Sequence, residues 1–173
     1  MKKYERLAEA TAPDGTPLEL FRHDAEYIIR ADGAELMSTR RHHTEELLAD
    51  IACEPLRERA DARVLIGGLG LGFTLRAALR HLMADAHVIV AEIVAEVIHW
   101  NTNPVFPLAS DVLVDARVDV QHVDVADALR DATDGFDAIM LGVDNGANAI
   151  TNASNSFLYS DAGIRTARAA LRP

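Results

Sequence analysis

The sequence predicts an α/β fold in which a parallel sheet follows a small antiparallel β-unit. Within the first 43 residues, short apolar runs are separated by turn signals such as Pro-Asp-Gly at residues 13–15, which is typical of antiparallel hairpins. From residue 63 onward, apolar strand patterns alternate with helical patterns, as in proteins with a parallel sheet. Residues 64–66 (Val-Leu-Ile) are apolar at every position, which indicates a central strand buried on both faces.

The antiparallel β-unit is predicted at residues 1–43. Strand candidates lie at residues 18–20, 27–29 and 36–37, because apolar side chains cluster there between turns. Residues 1–9 are charged and short of apolar side chains, so they predict neither a signal peptide nor a membrane span.

A helix is predicted to follow the β-unit, with Thr44 as its N-cap. Glu45 and Glu46 suit its first turn, because the N-terminal end of a helix carries partial positive charge. Pro55 lies near its predicted end. Its predicted apolar face consists of Leu47, Leu48, Ile51 and Ala52.

Residues 44–173 are predicted to form one domain around the parallel sheet. Sheets of this kind normally continue beyond a fourth strand, but the sequence ends at Pro173 directly after a helix, so the C-terminal strands are expected to be absent. We expect further chain or a partner to cover the edge of the fourth strand. The predicted strands are 64–66, 87–92, 117–121 and 136–141, and the predicted helices contain Leu75 to Leu82 and residues 94–101, 108–114, 125–132 and 160–171.

A glycine-rich stretch at residues 67–72 (Gly-Gly-Leu-Gly-Leu-Gly), here called the glycine turn, joins the first parallel strand to the next helix. Glycine lets the backbone turn sharply and approach a ligand closely, and the helix directs free N–H groups into the same space. Glu92 ends the following strand, where its carboxylate can accept hydrogen bonds from both hydroxyls of a ribose. These features predict a nucleoside-binding half-domain.

The spacing of the glycines narrows the class of ligand. A dinucleotide fingerprint that starts at Gly68 requires glycine at position 73, where this chain has Phe73. A P-loop is excluded, because no Gly-Lys-Ser/Thr follows the turn. The pattern Gly68, Gly70, Gly72 resembles the first motif of class I S-adenosylmethionine-dependent methyltransferases. The structural alternative is a turn that only connects a strand tightly to a helix.

Charge and cysteine content restrict the partners. The formal net charge of −10 disfavours nucleic acid and anionic membranes, since both bind basic surfaces. Cys53 is the single cysteine, which excludes an internal disulfide, and its apolar neighbours favour a buried thiol in a reducing cytoplasm. His42 and His43 have no accompanying ligands at suitable spacing, so no metal site is predicted.

The order of several segments resembles the spermidine synthase-like aminopropyltransferases, a branch of the class I methyltransferase superfamily. This resemblance implies a Rossmann-like, class I methyltransferase-type parallel sheet behind an N-terminal β-unit. It also implies a homodimer that acts on a small-molecule substrate such as a polyamine. The resemblance rests on residues 36–39, 44–46, 67–76, 91–93, 123–125 and 136–139.

The same resemblance implies S-adenosylmethionine or its decarboxylated form as the co-substrate. Glu92 would hold the ribose hydroxyls, and Asp124 would accept a hydrogen bond from the adenine amino group, with Val125 near the ring. An equal interpretation makes Asp124 a helix N-cap, and one residue can serve both purposes. The glycines that would pass close to the sulfonium side chain are Gly68, Gly70 and Gly72.

The positions at which the family binds the polyamine depart from the family pattern in this chain. The family carries an acid within its Gly-Gly-Gly-Asp-Gly-Gly turn, and this acid is missing here. The family's acid after the fourth strand aligns with Gly142, so Asp144 is the candidate catalytic residue in its place. An ammonium must lose a proton before it attacks, so the missing acids weaken the case for aminopropyl transfer. Three functions stay open: polyamine aminopropyl transfer, methyl transfer to another acceptor, and nucleoside binding without catalysis.

Overall fold

The computed structural model describes residues 4–143 and 155–173 and places them in two four-stranded sheets. The first sheet is antiparallel, and its strands lie side by side in chain order. Leu20 and Ile29 pair across its two central strands, and both are buried. The strands are β1 (Glu5–Thr11), β2 (Pro17–His23), β3 (Glu26–Ala31) and β4 (Ala34–Ser38).

Strand β1 is absent from the strands predicted above, because charged residues interrupt its apolar pattern. In the structure these charges pair across to β2. Arg6 lies 3.0 Å from Glu19, and Arg22 lies 2.7 Å from Glu5. The strand therefore forms at the edge of the sheet, although few of its side chains are apolar.

The second sheet is parallel and confirms the predicted α/β fold. Its strands lie in the order β7-β6-β5-β8. None of the helices in the described part of the chain has the length and apolar composition of a membrane span. The strands are β5 (Arg63–Gly67), β6 (His87–Glu92), β7 (Val118–His122) and β8 (Ala138–Leu141); the helices are α1 (His43–Cys53), α2 (Phe73–His81), α3 (Ala95–Thr102), α4 (Ser110–Leu113), α5 (Val125–Arg130), α6 (Asn155–Leu158) and α7 (Asp161–Ala169), with a short 3₁₀ turn at Glu54–Leu56.

Helix α1 differs from its prediction in two respects. It begins at His43, and Thr44 lies inside the first turn instead of at the cap. The predicted apolar face is wrong for most of its members, because Ile51 is 68% exposed whereas Ala49 and Cys53 are fully buried; only Ala52 of that face packs against the core. Two further members of the predicted face, Leu47 and Leu48, are exposed as well.

The contact between α1 and α2 explains this orientation. Glu46 lies 3.6 Å from Arg80, and the Asp50 carboxylate lies 2.7 Å from the His81 ring. These polar pairs flank the interface, so small side chains of α1 fill it and its leucines stay outside. Burial raises the pKa of the Cys53 thiol to about 11, which confirms the predicted buried thiol and makes it a poor nucleophile.

Strand β5 is buried on both faces, as its apolar run predicts. Val64 and Ile66 belong to a core that also contains Leu20 of the antiparallel sheet. Leu65 points to the other face and packs in a second core with Leu129 of α5. The parallel sheet is thus covered on both sides, and one of its cores is shared with the β-unit.

Strand β8 begins at Ala138, later than the predicted start at Phe136. Phe136 forms a single parallel bridge with Leu171 instead. Asp137 lies between Phe136 and Ala138. Its carboxylate accepts hydrogen bonds from the Arg63 backbone N–H at 2.8 Å and from the Arg172 side chain at 2.9 Å. These contacts fix the entry of β8 into the sheet beside β5.

Candidate functional site

The carboxyl ends of the four parallel strands meet beneath a cavity of about 270 Å³. The strand order places Asp124 after β7, Glu92 at the end of β6, Gly68 after β5 and Gly142 after β8. These four residues follow one another along the sheet edge in that order, and all of them line the cavity. Ligands of parallel α/β sheets bind at this edge, so the cavity is the candidate site.

The glycine turn has left-handed backbone at Gly68, Gly70 and Gly72, with φ angles of +88°, +52° and +79°. Gly68 and Gly70 line the cavity. A Cβ atom at Gly70 would lie 2.5 Å from the Met37 Cε atom, so the end of the Met37 side chain would have to move. Gly72 instead packs against Ala109, which a Cβ atom at this position would strike. Gly72 therefore packs against Ala109 outside the cavity lining, while Gly68 and Gly70 line the cavity.

Glu92 joins the glycine turn to the end of β6. It is 7% exposed; its Oε2 accepts a hydrogen bond from the Leu69 N–H, and its Oε1 accepts one from the Val94 N–H, both at 2.9 Å. Burial raises the pKa of this carboxyl above its usual 4.5, and the backbone hydrogen bonds oppose that rise. A carboxylate has about four lone-pair sites and can share them among several donors, so Glu92 can also accept hydrogen bonds from ligand hydroxyls.

Asp124 caps helix α5 and lines the cavity. Its Oδ1 accepts a hydrogen bond from the Ala126 N–H at 2.8 Å, which confirms the N-cap interpretation. The adjacent Val125 is buried and also lines the cavity. Because Asp124 also lines the cavity, its role as the cap of α5 is compatible with the predicted adenine contact.

Asn101 holds the glycine turn through a side-chain hydrogen bond, and it is not among the site residues predicted from the sequence. Its side chain is fully buried, and its Nδ2 donates hydrogen bonds to the Gly70 carbonyl at 2.7 Å and the Val97 carbonyl at 2.9 Å. The available signal was the position of Asn101 four residues after Val97, on the buried face of α3, because a buried amide requires polar partners.

The remaining wall of the cavity comes from the β-unit and the starts of α1 and α2. Phe73, the first residue of α2, stacks on His42 with ring centroids 4.1 Å apart. This pair joins the start of α2 to the residue before α1 at the cavity margin. The wall includes Leu18, Ile29 and Met37 of the β-unit and Thr44, Glu45 and Leu48 of α1.

The charged residues of the described cavity lining are all acidic, namely Glu45, Glu92 and Asp124. No lysine, arginine or histidine lies in that lining, and the sequence of residues 144–154 contains none. A cavity with this charge favours a cationic or neutral ligand over an anionic one.

The candidate catalytic residue, Asp144, lies outside the described residues, so its relation to the cavity is still a prediction. Within residues 4–143 and 155–173, no group of three or more histidine, cysteine or carboxylate side chains is arranged to hold a metal ion.

The comparisons with known proteins concern the fold. No family model matches the sequence, and the search of curated proteins finds no match. A spermidine synthase in complex with the transition-state analogue AdoDATO is similar at 20% identity with a TM-score of 0.73, and the spermidine synthase from Thermotoga maritima at 22% identity with a TM-score of 0.75. Each comparison covers 96% of this chain but only 53% and 54% of those proteins, so the chain spans about half of their length. The chain has a spermidine synthase-like fold.

Proposed function

We propose that this chain binds an adenosyl donor, S-adenosylmethionine or its decarboxylated form, as a spermidine synthase-like transferase. The observation that carries the proposal is Glu92, a nearly buried carboxylate that backbone donors hold at the floor of the cavity. Such a carboxylate can bind both ribose hydroxyls. Asp124 is its neighbour along the sheet edge, and we assign it to the adenine amino group; the spermidine synthase-like fold supports this assignment.

The charge of the cavity favours the decarboxylated donor. S-adenosylmethionine carries an α-carboxylate, whose burial is costly without a cation or several N–H donors. The described lining offers acidic side chains and no basic one. The decarboxylated donor carries a sulfonium and an ammonium, and the acidic lining would stabilise both.

Aminopropyl transfer is the reaction that we propose, with a polyamine as the acceptor. The attacking amine must lose a proton, which requires a proton acceptor near the end of β8. Gly142 lines the cavity there and offers no side chain. We assign this role to Asp144, two positions later in the sequence. The absence of a side chain at Gly142 favours a second candidate, methyl transfer, which depends chiefly on alignment of the reacting groups.

Calorimetric titration of S-adenosylmethionine, its decarboxylated form and methylthioadenosine into the purified chain tests the proposal. We expect the decarboxylated donor to bind more tightly than S-adenosylmethionine. Glu92→Gln should weaken methylthioadenosine binding by about 1–3 kcal/mol through the lost charged acceptor. The matched control is Glu96→Gln, an exposed glutamate in the first turn of α3, which should leave binding unchanged.

Each result separates the candidates. Tighter binding of S-adenosylmethionine than of its decarboxylated form would favour methyl transfer. Equal affinity of wild type and Glu92→Gln for methylthioadenosine would contradict the nucleoside site. For the reaction itself, Asp144→Asn should abolish aminopropyl transfer and leave methylthioadenosine binding intact. Activity that survives this substitution would rule out Asp144 as the proton acceptor.

A further inference from the structure

We propose that Glu45 is the carboxylate that binds the ammonium group of a cationic amine acceptor in the cavity. This inference rests on the proposed function and identifies a specificity-determining residue for it. Glu45 lies in the first turn of α1, half-buried, and lines the cavity with its neighbours Thr44 and Leu48. The acids that the family pattern places in the glycine turn and after β8 are absent from this chain at those positions.

Glu45 lies at the opposite end of the cavity from the proposed nucleoside-binding residues. Along the sheet edge, Asp124 and Glu92 follow β7 and β6, which form one half of the sheet. Helix α1 packs beside α2 and β8, in the other half. A nucleoside held by Asp124 and Glu92 therefore leaves the end of the cavity beside α1 for the second ligand.

The three carboxylates of the described cavity lining differ in the partners that they already have. Glu92 accepts hydrogen bonds from two backbone N–H groups, and Asp124 accepts one at the start of α5. Glu45 accepts a hydrogen bond from the Thr44 hydroxyl at 2.7 Å. Across residues 4–143 and 155–173, no arginine, lysine or histidine forms an ion pair with it. Its negative charge is thus available to a ligand.

Apolar side chains share the cavity wall with Glu45. Leu48, Met37 and Phe73 line the cavity together with Glu45. Apolar side chains suit the methylene groups of an alkyl amine, because both lose contact with water when the amine binds. An ammonium that enters such a place needs a carboxylate partner, because burial of an unpaired cation is costly. A short alkyl diamine has this combination of apolar chain and terminal cation.

The test is calorimetric titration of 1,4-diaminobutane into the wild-type chain saturated with methylthioadenosine, and into two variants. Glu45→Gln removes the charge and keeps the size of the side chain. The matched control is Glu46→Gln, one residue further along α1, whose carboxylate lies 3.4 Å from His42 and 3.6 Å from Arg80 and does not line the cavity. We expect Glu45→Gln to weaken diamine binding at least tenfold, since a charge-assisted hydrogen bond is lost. Glu46→Gln should leave it within about twofold, because the Glu46 carboxylate lies outside the cavity lining.

The same samples distinguish a structural effect from loss of the ammonium partner. Methylthioadenosine affinity and the midpoint of thermal unfolding should be equal in wild type and Glu45→Gln, and Glu45→Asp should recover part of the diamine affinity. Wild-type binding of methylthioadenosine without binding of the diamine would overturn the role of Glu45 and leave the nucleoside site standing. Equal diamine affinity in wild type and Glu45→Gln would overturn it too.

Failure of the proposed function gives a different result. If methylthioadenosine does not bind to the wild type, the nucleoside site is wrong. The diamine is then titrated alone, and a loss of at least tenfold in Glu45→Gln would still support Glu45 as a cation site. No such loss would overturn the inference as well.

Discussion

Met37 of the antiparallel sheet lies directly on Gly70 of the glycine turn, with its sulfur 2.6 Å from the position of a Cβ atom at residue 70. This contact joins the two sheets at the cavity, because Met37 also belongs to its lining. Any ligand that passes along the glycine turn must therefore share the space with this thioether, which is flexible and adapts to its neighbours.

Gly70→Ala should lower the free energy of unfolding by about 1–3 kcal/mol, mostly from left-handed backbone strain, because the flexible end of Met37 has only to shift to admit the new Cβ atom. Gly15→Ala is the matched control, since Gly15 has φ +90° but open space around its Cβ position. It should cost only the backbone term of about 1–2 kcal/mol. Urea denaturation measures both, and combining Gly70→Ala with Met37→Ala should recover part of the loss. Equal losses at the two glycines would show that the Met37 contact is unimportant.

Asn101→Leu should destabilise the fold by about 1–3 kcal/mol and weaken methylthioadenosine binding, because the Gly70 carbonyl loses its buried donor. The neighbouring Thr102→Val is the control: Thr102 is exposed, and its hydroxyl bonds only within its own helix. Chemical denaturation and calorimetry measure the two effects. Normal ligand affinity in a destabilised Asn101→Leu variant would mean that the amide supports the fold without shaping the turn.

Glu92 should make stability depend on pH in the direction opposite to most carboxylates. Its pKa is raised in the folded state by burial, so the folded chain binds the proton more tightly than the unfolded chain. The stabilising effect of this proton is complete below the ordinary value of 4.5 and is lost as the pH rises through the folded-state pKa. Urea denaturation of wild type and Glu92→Gln from pH 4 upward should show the wild type losing stability relative to the variant. A constant difference would indicate an unshifted pKa.

Asp115 should act in the usual direction. Its hydrogen bonds with Arg117 lower its pKa from 3.8 to about 2, and Arg117 also donates to the Leu82 carbonyl at 2.8 Å. The stabilisation is present above pH 3.8 and is lost as the pH falls toward 2. Asp115→Asn should therefore cost roughly 1 kcal/mol at pH 7, a small value because the pair is partly solvated. Asp119→Asn, exposed on β7, is the control for urea denaturation at both pH values, and a cost that persists at pH 2 would contradict the assignment.

The parallel sheet could be predicted from the sequence because its signals are local. The apolar run of β5 and the glycine turn lie next to each other, and Glu92 ends the next apolar run. Asp124 could be assigned as a cap for the same reason, since its partner is two residues away. Each of these features depends on a stretch of chain shorter than a single strand–helix unit.

The remaining features depend on contacts between distant segments. The amide of Asn101 reaches the Gly70 carbonyl across 31 residues, and the burial of Ala49 in place of Ile51 depends on how α1 packs against α2. The leucines of α1 fit a helical stripe, yet polar contacts with Arg80 and His81 turn a different face inward. No local pattern distinguishes the two faces, so the prediction for α1 was wrong for a tertiary reason.

Strand β5 acquires its two neighbours at very different times during synthesis. Its contact with β8 joins Arg63 to Asp137, which lie 74 residues apart, whereas β6 follows β5 after a single helix. At ribosomal rates of 5–20 residues per second, that separation corresponds to about 4–15 s. During this interval the open edge of the most apolar strand is available to a chaperone or to another nascent chain, and strand edges of this kind promote aggregation. Yield in a cell should therefore depend on translation speed through residues 68–137.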